Sequence, residues 1–308
     1  MKVIKSPLEI RESRTAVVLG TFDGMHTGHV RLIEGAKEKA LNLPLVVYSF
    51  SNIPAVYFGA TAEKLTTAEE KTEVLESLKI ADYMMPVTFN GRVAGEAPEE
   101  FCRFLKEDMR ASMIAAGFNY TFGRGAAGNM ELLERFGKEN GIEIMRQIPV
   151  MYGDEPVSST RIRIALKEGD PAAARAMLGR PYSISGIVSH GKKLGRKLGF
   201  PTVNFFIEDG KLCPKNGVYG TIAEIDGKKY YAITNVGTRP TVDDGNRVNV
   251  ETNMMGYMGD AYGKKIRISF MLWQREEQRF SSVDELKKQL QHDKAEILSK
   301  LQKNCNAL

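Results

Sequence analysis

Thr15-Ala-Val-Val-Leu-Gly-Thr-Phe-Asp-Gly-Met-His-Thr-Gly-His29 decides the fold of the first half of the chain. The apolar run Thr15–Leu19 predicts a short buried strand, and a helical pattern runs from Val30 to Leu41. Between them Gly20, Gly24 and Gly28 allow a sharp turn and a close backbone approach to a ligand. The order is therefore strand, tight turn, helix. The entrance of such a helix offers N–H groups to an anion. His26 and His29 stand three apart at that entrance and can face the same phosphates. An imidazole donor there can stabilise charge that builds on an α-phosphate as pyrophosphate leaves. The two hold half of the four histidines in the chain, which favours a catalytic over a merely local role. With them, Gly20, Phe22, Asp23, Gly24 and Gly28 are expected to form a nucleotide-binding turn.

Working outward, Leu45–Phe50 reads as a second buried strand, with helical patterning at Ala68–Leu78 and Pro98–Met109. Met113–Ala116 is a further strand, Met130–Asn140 a helix and Ile142–Val150 a strand. Alternation of strand and helix predicts a parallel sheet covered on both faces. Ser158–Lys167 opens on hydroxyl residues that suit a helix start, and Pro171–Leu178 is a second short helix. After Pro181 the texture changes to β-like runs at Ser183–Ser189, Gly217–Ile225, Lys229–Val236, Arg247–Met254 and Lys265–Leu272. Turns rich in Gly, Asp, Asn and Pro separate them, the pattern of an antiparallel barrel or sandwich. A closing amphipathic helix fits Ser282–Leu301. The boundary is placed near Arg180–Ser183, giving domains 1–180 and 181–308.

Bulk properties agree. A chain of 308 residues accommodates two cores, and 43% hydrophobic with 26% charged residues is an ordinary globular composition. The net charge of +5 suits polyphosphate substrates and falls short of a nucleic-acid binder's basic face. Cys102, Cys213 and Cys305 are scattered and odd in number, without metal or disulfide spacing, so a reducing cytoplasm is the expected setting. Neither a signal peptide nor an apolar run of roughly 20 residues is present, and no membrane partner is expected. The sequence leaves the oligomeric state open.

The second half carries Leu194-Gly-Arg-Lys-Leu-Gly-Phe-Pro-Thr-Val-Asn204. Thr202 and Asn204 lie two apart on an extended segment and point the same way. They can reach one hard cation or phosphate oxygen, which suits Mg2+. Gly191, Gly195 and Gly199 would let the preceding loop close over phosphates.

The first motif resembles the H-x-G-H superfamily of nucleotidyltransferases, whose domain is Rossmann-like. Members also carry a hydroxyl-and-arginine signature near the domain end, here Ser158-Ser-Thr-Arg-Ile-Arg163. Ser159, Thr160, Arg161 and Arg163 would clamp the β- and γ-phosphates of ATP. Gly117-Phe-Asn-Tyr-Thr-Phe-Gly123 matches a segment of the flavin-adenylylating branch and places Asn119 beside the nucleotide. The second motif is similar to the riboflavin kinase domain, an antiparallel barrel with a closing helix. Gly217-Val-Tyr-Gly, Asn235-Val-Gly-Thr-Arg-Pro-Thr241, Val250-Glu251-Thr252, Asp260-Ala-Tyr-Gly263 and Arg275-Glu-Glu-Gln-Arg-Phe280 agree with it. The chain thus resembles the bifunctional riboflavin kinase/FMN adenylyltransferase (FAD synthetase) family over nearly its whole length.

That resemblance implies small-molecule partners only: ATP with riboflavin to give FMN, then ATP with FMN to give FAD and pyrophosphate. It implies Glu251 as general base and Arg275 as a flavin contact. Two departures stand out. The family's proline-histidine-proline stretch is replaced at Phe50-Ser-Asn-Ile-Pro54, and Asn253 stands where a histidine is frequent. The alternatives are an enzyme working through its kinase half alone, a first domain acting on another phosphorylated alcohol, and a non-enzymatic flavin-responsive regulator. The last predicts loss of Glu251, Thr202 or Asn204, and all three are present.

Overall fold

The computed structural model describes residues 1–189, 200–241 and 245–304, with 238–241, 245–248 and 304 described by backbone alone. The chain divides into two compact units, Met1–Ser159 and Thr160–Leu308.

The first unit runs β1 (Lys2–Val3), β2 (Thr15–Gly20), α1 (Thr27–Ala40), β3 (Leu45–Phe50), α2 (Pro54–Tyr57), α3 (Ala68–Leu78), β4 (Tyr83–Val87), α4 (Gly91–Gly95), α5 (Pro98–Glu107), β5 (Ala111–Gly117), α6 (Met130–Asn140) and β6 (Glu143–Gln147), then a small hairpin of β7 (Met151–Tyr152) and β8 (Glu155–Pro156). The first six strands form one parallel sheet in the order β1-β4-β3-β2-β5-β6. β2 and β3 are continuous apolar runs because both of their faces are covered. Val17, Leu19, Val46, Tyr48 and Ile114 face one core, closed by Phe101 and Leu105 of α5 and Leu133 of α6. Ala16, Val18, Val47 and Met113 face the other, closed by Leu32, Ile33 and Ala36 of α1 and Leu75 of α3. The chain leaves β2 toward β3 and later returns to β5 on β2's other side. That reversal opens a crevice at the carboxyl ends of the strands, where open α/β sheets bind ligands. The turn after Gly20 is at its mouth.

Two local differences from the sequence expectation have physical causes. α1 begins at Thr27, three residues earlier than its apolar pattern, because His26 is extended and its Nδ1 accepts the His29 N–H at 3.3 Å. β4 was not expected, since Pro86 interrupts it. That proline lies past Tyr83 and Met84, the two residues that pair with β1, where β4 has a partner on one side only and tolerates a missing donor.

The second unit contains α7 (Ser159–Glu168), which starts on the last residue of the first unit, α8 (Pro171–Leu178), β9 (Ser183–Ile187), β10 (Val203–Phe206), β11 (Gly217–Ile225), β12 (Lys228–Thr241), β13 (Gly245–Met254), β14 (Lys265–Arg275) and α9 (Val283–Asn304). The division after Ser159 puts α7 and α8 with the β-rich half, ahead of the Arg180–Ser183 boundary expected from sequence. Lys215 N–H donates to the Leu166 carbonyl at 2.9 Å and ties α7 there. The strands are antiparallel in the order β10-β13-β12-β11-β14-β9. Ser189 N–H donates to the Asn204 carbonyl at 2.7 Å, which closes the sheet into a barrel. Tyr219, Phe205 and Phe270 fill its interior, with Tyr219 edge-on to Phe270 at 5.0 Å. A chain of buried hydroxyls crosses three strands there, Thr221 to Thr234 at 2.8 Å and Thr234 to Thr252 at 2.9 Å.

Outside the barrel, Ile297 and Leu301 of α9 pack on Val218 and Ile233. Each fully buried aliphatic contributes about 1.5–3 kcal/mol. The helix is also tied by charge. Arg275 Nη2 and Nε donate to Asp293 at 2.6 and 3.1 Å, Gln289 Nε2 adds a 2.9 Å bond, and Asp293 is 1% exposed. Removing one partner of a buried pair strands the other. Asp293→Ala is expected to destabilise the second unit by roughly 3 kcal/mol, read as an earlier urea midpoint of the barrel transition. An unchanged midpoint would show that α9 is held by its apolar face alone.

Candidate active sites

The turn after β2 places three left-handed residues close together, Phe22 (φ 50°), Gly24 (φ 84°) and Met25 (φ 41°). Such backbone is unfavourable for side-chain-bearing residues and persists only where surroundings enforce it. Here the Phe22 and Met25 side chains are fully buried in the α1-side core and offset the strain. Gly20 and Gly28 have an internal reason for lacking side chains. A Cβ at Gly20 would lie 2.7 Å from the Phe22 ring, and one at Gly28 would lie 3.2 Å from the His26 ring. Asp23 is 5% exposed, and its carboxylate accepts Leu65 N–H at 3.0 Å and Thr66 N–H at 3.1 Å. It therefore shapes the turn from within, whereas the sequence places it toward nucleotide. Gly24 N–H donates to Thr66 Oγ1 at 2.9 Å.

The two histidines come together as the sequence predicts. Their rings stack at 3.5 Å between centroids and 18° between planes, with the Phe22 ring edge-on to His29 at 5.2 Å. Ser159 Oγ donates to the Asp23 carbonyl at 2.8 Å, so the first residue of α7 is fastened to the turn itself. Thr160, Arg161 and Arg163 continue α7 in the second unit. Asn119 is exposed on the bend after β5, where Tyr120 N–H returns to the Gly117 carbonyl at 3.0 Å.

Beside the crevice lies an aromatic group that sequence reasoning missed. The Phe89 ring meets Phe50, Tyr57 and Phe58 at 5.2, 5.6 and 5.7 Å, and Phe58 is 68% exposed. These rings come from three separate segments, so no single stretch of sequence displays them. Asn52, inside the Phe50–Pro54 departure, holds the group in place. Its Oδ1 accepts the Phe89 N–H at 2.7 Å and its Nδ2 donates to the Phe89 carbonyl at 3.0 Å.

The second site sits on the outer face of β10 and β13. Along β13, Val250, Thr252 and Met254 are buried while Glu251 and Asn253 alternate with them. Asn204 is directly opposite Glu251 in the β10–β13 register. Asn249, two residues earlier on the same face, joins them. Its Nδ2 donates to Glu251 Oε1 at 3.0 Å and lies 3.4 Å from Asn204 Oδ1. Asn249 was not singled out from sequence, although a period of two from Glu251 marks it. Asn253 Nδ2 donates to the Pro201 carbonyl at 2.7 Å and pins the Pro201–Asn204 segment to β13. Thr202 is half-buried in that segment.

Gly191, Gly195 and Gly199 lie outside the described residues. Arg275, expected on the flavin side, commits its guanidinium to Asp293 and to the Glu276 carbonyl (2.9 Å), and so anchors α9. Among the described residues no group of three or more His, Cys, Asp or Glu could hold a metal ion. Hard oxygens at Thr202 and Asn204 fit a Mg2+ that is carried mainly by substrate phosphates.

An FAD synthetase family model matches residues 9–161 and a riboflavin kinase family model matches residues 178–301. The bifunctional riboflavin kinase/FMN adenylyltransferase of Escherichia coli (strain K12) is 35% identical, over 90% of this chain and 90% of its own length. The protein of the same description from Bacillus subtilis (strain 168) is 32% identical, over 93% and 92%. A solved structure described as a macrolide-efflux protein from Streptococcus pneumoniae matches with a TM-score of 0.86 at 32% identity, covering 95% of this chain and 97% of that one. No described helix in the present chain is long and apolar enough to cross a membrane. With both domain models matched in order, and relatives of one description aligned over nine-tenths of its length, this chain belongs to the bifunctional riboflavin kinase/FMN adenylyltransferase family.

Proposed function

We propose that the chain divides its two ATP-dependent reactions between its two halves, phosphorylating riboflavin in residues 181–308 and adenylylating FMN in residues 1–180. The observation that carries this reading is that each half has its own constellation: the stacked His26–His29 pair at the sheet's reversal, and the Glu251–Asn249–Asn204 face of the barrel.

In the first reaction Glu251 takes the proton of the ribityl terminal hydroxyl as that oxygen attacks the γ-phosphorus, and ADP leaves. Thr202 and Asn204 would meet the Mg2+ that accompanies the phosphates, and the ion supplies charge neutralisation. Positioning and electrostatics then account for most of the catalysis. In the second reaction the FMN phosphate attacks the α-phosphorus and pyrophosphate leaves. His26 and His29 donate to the phosphoryl oxygens where charge develops. The N–H groups at the start of α1 hold the remaining phosphates. The exposed faces of Phe58 and Tyr57 supply the apolar flat surface that an isoalloxazine ring needs. ATP, riboflavin and FMN are the partners of this reading. It requires neither nucleic acid nor membrane, and it places the protein in the cytoplasm, where ATP is abundant.

Incubation of the purified protein with ATP, Mg2+ and riboflavin is expected to yield FMN and FAD, and incubation with FMN to yield FAD, followed by chromatography. FMN alone from riboflavin would restrict the chain to its kinase half. His29→Ala should lower FAD formation from FMN by about 100–1,000-fold and leave FMN formation within twofold. Glu251→Gln should lower FMN formation by about 100-fold or more while FAD formation from supplied FMN continues. Equal damage to both activities by either substitution would refute the two-site division. Phe58→Ala should raise KM for FMN several-fold with little change in KM for ATP, and an unchanged KM for FMN would remove the aromatic group from the flavin site.

A further inference from the structure

Lys71 of α3 is 4% exposed, and its ammonium has three donors and three oxygen acceptors. Nζ donates to the Thr21 carbonyl at 2.7 Å, to Ser49 Oγ at 2.9 Å and to the Phe50 carbonyl at 2.7 Å. Ser49 Oγ donates in turn to the Thr21 carbonyl at 3.0 Å. None of the three acceptors is a carboxylate. Thr21 is the first residue after β2, and Phe50 is the last of β3. Lys71 therefore clamps together the carboxyl ends of two adjacent strands. From one springs the turn with His26 and His29, and from the other the segment that carries Asn52, Tyr57 and Phe58.

A neutral hydrogen-bonding side chain could satisfy three oxygens. A charge in this position does something more. In a low-dielectric interior an ammonium beneath a phosphate-binding turn acts on an anion at longer range than a surface lysine, whose field water screens. It is also fixed before substrate arrives, so no reorganisation accompanies the reaction.

We propose that Lys71 is a positioning residue for adenylyl transfer, setting the spacing of the histidine turn against the flavin side and supplying a preorganised positive charge beneath the nucleotide's phosphates. The inference rests on the reading of the first half as the adenylyltransferase.

The charge can be removed without mutation. Burial pushes the Lys71 ammonium down to about 8, opposed by the Asp23 carboxylate on the turn. The charged group that faces it from the turn is Asp23, while β3 contributes Ser49 and Phe50, which do not titrate. On its own helix Glu70 is engaged by Thr67. Because the folded lysine releases its proton before the unfolded one, the unfolded chain holds more protons between about pH 8 and the ordinary lysine range. This residue's effect on stability therefore becomes more favourable as pH rises through that window, while the proposed catalytic contribution is lost. A decline in activity there would not be the unfolding of this clamp. Second ionisations of phosphates are near pH ~6 and are complete by then.

The test follows FAD formation from ATP and FMN between pH 7.0 and ~9.5, with riboflavin phosphorylation by the same protein as the in-chain control. The wild-type kcat/KM for ATP is expected to fall about tenfold with an inflection near 8, and kinase activity should not share that inflection. Lys71→Arg, whose charge persists throughout, should remove the inflection and vary by less than about twofold over the range. Lys71→Met should be at least about tenfold slower at pH 7.5, with a raised KM for ATP and no inflection. A flat wild-type profile would overturn the proposal whatever the variants do. So would a Lys71→Arg profile that falls along the wild-type curve, or a Lys71→Met protein with wild-type rate and profile. If either variant fails to fold, the wild-type profile with its kinase control still decides. Absence of FAD formation at neutral pH would instead refute the parent reading of the first half, a separate outcome.

Discussion

The hydrogen bonds that Asp23 accepts from the backbone of Leu65 and Thr66 are the constraint on which the first site depends. They hold a turn whose backbone is locally unfavourable at Phe22 and Met25. They also join it to the segment that leads into α3. The same residue's carbonyl receives the Ser159 hydroxyl. One buried acidic residue thus ties the glycine turn to the segment before α3 and to Ser159 at the end of the first unit. The histidine pair can stack at 3.5 Å because everything beneath it has been fixed by groups that need not touch substrate.

The barrel solves its problem differently. Its candidate site rests on an alternation in β13: even-numbered residues from 250 to 254 are buried, and Glu251 looks outward beside Asn204. Asn249 and Asn253 on that same face divide the remaining work. The first donates to the carboxylate, and the second holds the Pro201–Asn204 segment. The Asn253 amide binds the Pro201 carbonyl and so serves the geometry of Thr202 and Asn204. Asn52 offers a parallel case in the first unit, where its amide pairs with both backbone groups of Phe89.

What could be read from the sequence was whatever repeats or recurs at fixed spacing. The apolar runs of β2 and β3, the helices at 68–78 and 130–140, the strand Gly217–Ile225 and the histidine spacing all follow from periodicity or turn chemistry within one short window. The remainder depends on side chains meeting across long sequence separations. Lys71 occupies the buried face of α3, four residues before Leu75, where its pattern calls for an apolar residue; that mismatch was a signal, but only the fold reveals the three oxygens that answer it. Arg275 was assigned by likeness to a flavin contact because its partner is 18 residues away on another element. β4 was hidden by Pro86, whose cost vanishes only once the strand's neighbour is known to stop short.

The threonine chain inside the barrel guards against a particular folding error. A strand displaced by one residue exchanges its inward and outward side chains. For β13 such a slip would drive the Glu251 carboxylate into an interior of Tyr219, Phe205 and Phe270 and carry Thr252 out to solvent. It would also leave the hydroxyls of Thr221 and Thr234 without the third member of their relay. Correct alignment is therefore proofread twice, by a buried polar thread that only one register completes and by an acid that only one register keeps wet. The outward-facing acid and the residue that authenticates the strand are neighbours in the chain.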